Sequence, residues 1–328
     1  MDGLLHIPQE RVARDVEGAS FGFGPKRRRT LRASIPCVGT GLHTGARVRV
    51  RLCPAPAGSG IAFVRTDLGA SIPALYDRVA DTRLCTVLAS PERPEARVGT
   101  VEHLMAALAG CGVTDATVEV DGPEVPVLDG SAAPWVFLLD CAGSVDLDAA
   151  PLAIEVLRPV RVDDGAAFAE LRPGADGLDL SLSIAFDAPA IGRQALSLRL
   201  GEEAFRRELS HARTFAQAHE IEGLRAAGLA RGGGLDNAVV VDGARVLNPA
   251  GLRAPDEFVR HKLLDAVGDL ALAGGALHAR FVGHRSGHAL NNRLLRALFA
   301  DPANWRPAET SAWTTGTAAR PAEIAHAA

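Results

Sequence analysis

The chain has 328 residues, 47% of them hydrophobic and 23% charged, with a formal net charge of −4. That length suits one large domain or two ordinary ones with a substantial core, and the charge balance excludes a general attraction to nucleic acid or an anionic membrane surface. The five cysteines (Cys37, Cys53, Cys85, Cys111 and Cys141) form no CxxC pair, which argues against a disulfide framework or a thiolate metal site and for a reducing, cytoplasmic setting.

Residues 1–24 show no periodicity and read as a flexible extension without the apolar core of a secretory signal. Arg47 to Leu52 alternates polar and apolar residues, as a half-buried strand does, behind the turn-forming stretch Gly39 to Gly45. Thr100 is placed to cap a helix that runs through Leu108 and ends at Gly110. Ala116 to Val120 reads as a strand, and Pro134 to Leu139 as the middle of a helix. The small, polar stretch between Cys141 and Ala153 is the expected boundary between a domain over residues 25–148 and a second over 149–302. The second domain opens with strands near 153–161, 167–171 and 178–186. A helical stretch near 202–209, a strand over 238–241, a helix over 256–273, a strand over 277–282 and a helix over 290–299 follow. Residues 303–328 read as a loose tail. No stretch approaches the roughly 20 apolar residues of a spanning helix. The two halves rhyme: His103 and His261 each begin an apolar helical run that feeds a strand through a glycine, which suggests two related α+β layers face to face.

The helix over 256–273 carries the most chemistry. With His261 at zero, Asp265 falls at about 40°, Asp269 at about 80° and Lys262 at about 100°, while Val259, Leu263, Ala266, Val267 and Leu270 form the apolar face. His261 and Asp265, at i and i+4, have the spacing of two ligands to one metal; a solvated face of helix-stabilising charge pairs is the plain alternative. Lys262 is one of only two lysines beside many arginines, a hint that a compact ammonium matters there. In the first half, Glu102 and His103 open an almost wholly apolar helix, so they must be paired, metal-bound or cleft-facing, or His103 must be a satisfied structural histidine. Together His103, His261 and Asp265 make up the three-donor set of a catalytic zinc site, with Glu102 free to act as general base. The HExxH signature is absent, because His219-Glu220 is not followed by a second histidine at the required spacing. His288, after a glycine at a strand-to-helix junction, is either an acid for a leaving amine or a structural histidine; Asn291 and Asn292 read as cap and turn residues.

These segments, with Gly39 to Gly45 (GTGLHTG), Val127 to Pro134 (VLDGSAAP), Ser210 to Phe215 (SHARTF) and Gly232 to Val241 (GGGLDNAVVV), closely resemble the UDP-3-O-acyl-N-acetylglucosamine deacetylases of Gram-negative lipid A synthesis. The resemblance runs from about Arg29 to Leu298. It implies an α+β fold of two β-α-α-β domains in a layered sandwich, the metal site between them. It implies hydrolysis of the N-acetyl group of a UDP-3-O-acyl-N-acetylglucosamine, releasing acetate. From its composition the chain is expected to be cytoplasmic, neither inserting into membranes nor binding nucleic acid, and a monomer is expected. The implied ion is Zn2+, with Fe2+ chemically acceptable to the same donors. Carried over residue by residue, the ligands are His103, His261 and Asp265. Glu102 is the base, His288 the acid and charge stabiliser, Asp269 its orienting carboxylate and Thr214 the threonine near the developing oxyanion. Lys262 and Phe215 contact substrate. An insert over about residues 213–241 would form an acyl passage lined by Leu224, Leu229 and Ala230, and Cys85 would lie close to the metal. The chain departs from the family at Ala216-Gln217, where relatives often carry a glycine and an aromatic. Two other readings compete: a metal-dependent amidohydrolase of another N-acylated sugar or peptide, and a degenerate binding protein, which would have lost part of this set.

Overall fold

A computed structural model describes residues 27–308 of the chain; the expected extension over residues 1–24 and the tail beyond residue 308 lie outside the described residues. Six helices organise it: α1 (Glu102–Gly110), α2 (Ala133–Ala142), α3 (Glu202–Ala204), α4 (Ala218–Ala226), α5 (Glu257–Ala271) and α6 (His288–Ala300). α3 runs on into a π-helical turn, Phe205–Leu209.

The two halves repeat one topology. In the first, strand Ala116–Val120 lies antiparallel to Arg47–Pro54 and parallel to Ile61–Arg65, with Ile35–Thr40 and Ala70–Pro73 at the edges. In the second, Ala276–His284 lies antiparallel to Ala167–Arg172 and parallel to Leu178–Ala185, flanked by Val160–Asp164 and Arg193–Arg199. α1 and α5 lead into these two central strands, while α2 and α6 follow them. The alternation in Arg47–Pro54 is realised with Val48, Val50 and Leu52 buried, because period two puts every second side chain on the core face.

α1 packs along α5, α5 rests on the strands Leu178–Ala185 and Arg193–Arg199, and α6 covers Val160–Asp164 and Ala167–Arg172. The order is sheet, helices, helices, sheet, around one continuous apolar core. The α1–α5 contact is close because Gly268 stands where any Cβ would overlap the Glu102 carbonyl oxygen.

Three sequence expectations change. Thr100 does not cap α1; it sits at φ 56° with its hydroxyl donating to Glu124 Oε1 at 2.8 Å, and Val101 takes the cap position without a side-chain bond. The stretch near 202–209 is a short α-helix plus a π turn, wide enough for the Phe205 ring to lie over Gly110. Residues 303–308 are not loose: Trp305–Ala308 pairs antiparallel with Ala153–Val156 and completes the edge of the second sheet. Among the described residues, no helix is long and apolar enough to cross a membrane.

Candidate metal centre

The first turn of α1 and the middle of α5 face each other, and there the expected polar stripe is buried rather than solvated. Glu102, His103, His261, Asp265 and Asp269 are each no more than 4% exposed. Such a group of charges survives only if paired or bound.

Asp265 shows how. Its Oδ2 accepts from Lys262 Nζ at 2.7 Å, while Oδ1 is buried with no hydrogen-bond partner among the described residues. That oxygen faces His261 Nε2 at 3.4 Å and His103 Nε2 at 3.5 Å. Donors each about 2.1 Å from one tetrahedral ion stand about 3.4 Å apart, so this spacing is that of a metal's coordination edges. Among the described residues, His103, His261 and Asp265 are the group whose donor atoms, all within 4.8 Å of one another, could hold a metal ion. The orphaned carboxylate oxygen and the two-imidazole, one-carboxylate donor set both fit a divalent cation. His261 Nδ1 lies 3.1 Å from the Ala212 carbonyl oxygen, which can only accept, so Nδ1 carries the proton and Nε2 keeps its lone pair for the ion. Burial pulls the His261 value down to about 4, leaving the ring neutral as a ligand must be.

The carbonyl that orients His261 is itself held. Arg213 makes a two-pronged bond to Glu257, Nε to Oε1 at 2.8 Å and Nη2 to Oε2 at 3.1 Å, both residues buried. This pair fastens the segment Ser210 to Phe215 over the start of α5. Phe215 then stands edge-on to Phe258 and Phe186 and 6.1 Å from the His261 ring. Thr214 is tied by its backbone, donating to Gly130 and accepting from Val239.

Three further titratable groups, Glu102, Asp269 and His288, lie beside the donors. His288 opens α6, its Nδ1 2.9 Å from Asp269 Oδ2 and its Nε2 3.8 Å from Glu102 Oε1. Burial disfavours its charge, but the carboxylates of Asp269 and Glu102 outweigh that and lift it to about 9. Burial pushes the Glu102 carboxyl above the usual carboxylate range. Lys262 also borders a cavity of about 450 Å³ lined by Ile184, Phe186, Gln217, His219 and Arg285. Leu224, Leu229 and Ala230, expected to line an acyl passage, are not among its walls; they are only half-buried, and α4 buries none of its side chains.

Sequence reasoning missed three participants. His43 of the Gly39 to Gly45 loop has both ring nitrogens buried without partners among the described residues. It lies close enough to His288 to feel its charge. Glu124 holds that loop, accepting from the His43 and Thr44 amides and the Thr44 hydroxyl. Thr86 reaches both Glu102 and Asp269. The glycine-rich loop was a visible signal for His43; nothing local marks Thr86 or Glu124. Asn291, read as a cap residue, instead donates to Asp269 Oδ2 at 2.9 Å. Cys85 is buried, its thiol pushed up to about 12 chiefly by desolvation.

Three donors converging on one point, with a buried carboxylate and a cationic histidine within 4 Å of each other, are what a metal-dependent hydrolase requires, and that is the class this fold and site define. A family model described as UDP-3-O-acyl N-acetylglycosamine deacetylase matches residues 28–300. A protein of that activity by name from Phenylobacterium zucineum is 51% identical over 280 residues, 84% of this chain and 94% of its own length. Namesakes from Anaeromyxobacter dehalogenans and Myxococcus xanthus are each 50% identical over 279 and 277 residues, covering 85% and 84% of this chain and 89% and 87% of theirs. The chain belongs to the UDP-3-O-acyl-N-acetylglucosamine deacetylase family.

Proposed function

We propose that the chain removes the N-acetyl group from a UDP-3-O-acyl-N-acetylglucosamine, releasing acetate and a free sugar amine, in the lipid A pathway. The observation that carries this reading is the buried His103, His261 and Asp265 set with the bare Asp265 oxygen, in a chain about half identical to deacetylases of that name over most of its length. Zn2+ is the ion best matched to these donors, and Fe2+ is the alternative that the same chemistry accepts. When bound, the ion supplies a Lewis acid that polarises the acetyl carbonyl and acidifies a water.

The chain's own residues supply the rest. Glu102, desolvated and raised in basicity, takes the proton from the attacking water. His288, kept cationic by Asp269, stabilises the developing negative charge and protonates the departing sugar nitrogen. Thr214 sits on the backbone-tied segment from which its hydroxyl serves the oxyanion. Phe215 packs its ring against His261 and forms part of the substrate wall. Lys262 spends one ammonium proton on Asp265 and turns toward the neighbouring cavity, where it contacts substrate. The reading carries with it a cytoplasmic monomer built of two domains, 25–148 and 149–302. Five free thiols suit a reducing compartment.

The test is acetate release from a UDP-3-O-acyl-N-acetylglucosamine by chelator-stripped protein, before and after zinc is restored. Activity that vanishes and returns supports metal and substrate together. A protein that binds zinc yet leaves this substrate intact, while releasing acetate from an unacylated sugar or an N-acetylated peptide, refutes the substrate and keeps the metal centre.

A further inference from the structure

Thr86 sits in the turn between the short strands Val79–Asp81 and Val87–Ala89 of the first half, 2% exposed. Its amide donates to Glu102 Oε2 at 3.0 Å, and its hydroxyl donates to Asp269 Oδ1 at 2.6 Å. The other Asp269 oxygen accepts from Asn291 Nδ2 and faces His288 Nδ1, both at 2.9 Å. His288 Nε2 returns to Glu102 Oε1 at 3.8 Å. One residue of the first half thus closes a ring through the two carboxylates and the histidine, two of which stand on helices of the second half. The turn is held in an unusual backbone, with Leu84 at φ 66°, a region an L side chain with a γ-branch rarely enters.

We propose that Thr86 is a positioning residue that sets the base and the acid relative to each other, its amide fixing Glu102 and its hydroxyl fixing the rotation of Asp269 and, through it, the ring of His288. The inference rests on the deacetylase reading. The hydroxyl bond decides which way the carboxylate plane turns: with Oδ1 anchored on Thr86, Oδ2 is left for His288 and Asn291. Remove the donor, and a buried carboxylate oxygen loses its partner, so the carboxylate rotates or draws in water and His288 loses its bearing. The backbone bond to Glu102 does not depend on the side chain, so hydroxyl variants report on the Asp269 arm alone.

The experiment compares wild type, Thr86→Val, Thr86→Ala and Thr86→Ser in the zinc-loaded full chain, with and without Asp269→Ala. Valine keeps the volume and alanine relieves crowding, so failure of one to fold leaves the other to report. The expected result is a kcat lowered about tenfold to a hundredfold in the valine and alanine variants, as for an unpartnered buried acceptor. KM should stay within about twofold, zinc content unchanged and Thr86→Ser near wild type. In the Asp269→Ala background the same substitutions should cost nothing further, because the hydroxyl acts only through that carboxylate. An undiminished kcat in both variants, a serine variant as poor as valine, or effects that multiply with Asp269→Ala would overturn the proposal. An inactive wild type that binds zinc overturns the deacetylase reading instead, so the two failures are distinguishable.

Discussion

Glu102 and His288 stand within 4 Å of each other, yet their surroundings drive them to opposite assignments. Glu102 has burial against it and few donors for it, so it is a stronger base than a surface glutamate. His288 suffers the same burial, but two carboxylates reverse the outcome and hold it cationic to about pH 9. A base must be unprotonated and an acid protonated to work, so kcat/KM should rise as pH climbs through the Glu102 value and fall as pH passes about 9. His288→Ala should remove the alkaline fall and lower kcat about a hundredfold. An alkaline limb that persists in this variant would assign it to another group. Glu102→Gln should keep bound metal and lose about a hundredfold or more in kcat, measured by metal analysis beside turnover; full activity would remove it as the base.

α1 and α5 carry every donor of the metal set and the base, so their separation is the most consequential distance between elements. It is set by Gly268, the one residue type that lets the Glu102 carbonyl approach this closely. Gly268→Ala should push the helices apart by about an ångström, because the atom the new Cβ meets is backbone, and destabilise the fold by about 2 kcal/mol or more through overpacking. Metal affinity should weaken about tenfold, since His103 would no longer face the α5 pair correctly. Denaturant unfolding and competition with a chelator measure the two effects. Wild-type values in both would show that α1 and α5 tolerate a wider spacing.

The halves of the molecule are joined by the α1–α5 contact at the centre and by aromatic packing at one edge. Tyr76 of the first half stacks on Phe299 at 4.6 Å, and Trp305 meets the same ring edge-on at 5.0 Å. The strand that carries Trp305 shields Ala153–Val156 from an open edge. Trp305→Ala should therefore lower the unfolding midpoint in calorimetry by several degrees. An unchanged midpoint would show the packing of the terminal strand to be dispensable.

Much of this is legible in the sequence itself. Period-two alternation marks Arg47–Pro54, a two-sided helical pattern marks α5, and the i, i+4 placement of His261 and Asp265 sets two candidate donors side by side, because these features arise from neighbours along the chain. The resemblance to the deacetylases also rests on such local motifs, and so singled out Glu102, His288 and Asp269, which the fold brings together. What local sequence could not show is whatever depends on residues far apart. Thr86 and Asp269 are separated by 183 positions and Thr100 and Glu124 by 24, and no periodicity links them. Nor does the sequence reveal that Thr100 turns away from the helix it precedes, or that Trp305–Ala308 pairs with a strand 150 residues earlier, since a hydroxyl or an edge strand takes whichever partner the packed structure brings within reach. Residue types and their spacing along the chain determined the chemistry available. Only the tertiary structure decided which carboxylate oxygen stays bare for a metal and which is tied to a threonine, because that depends on how closely two helices from different halves of the chain pack.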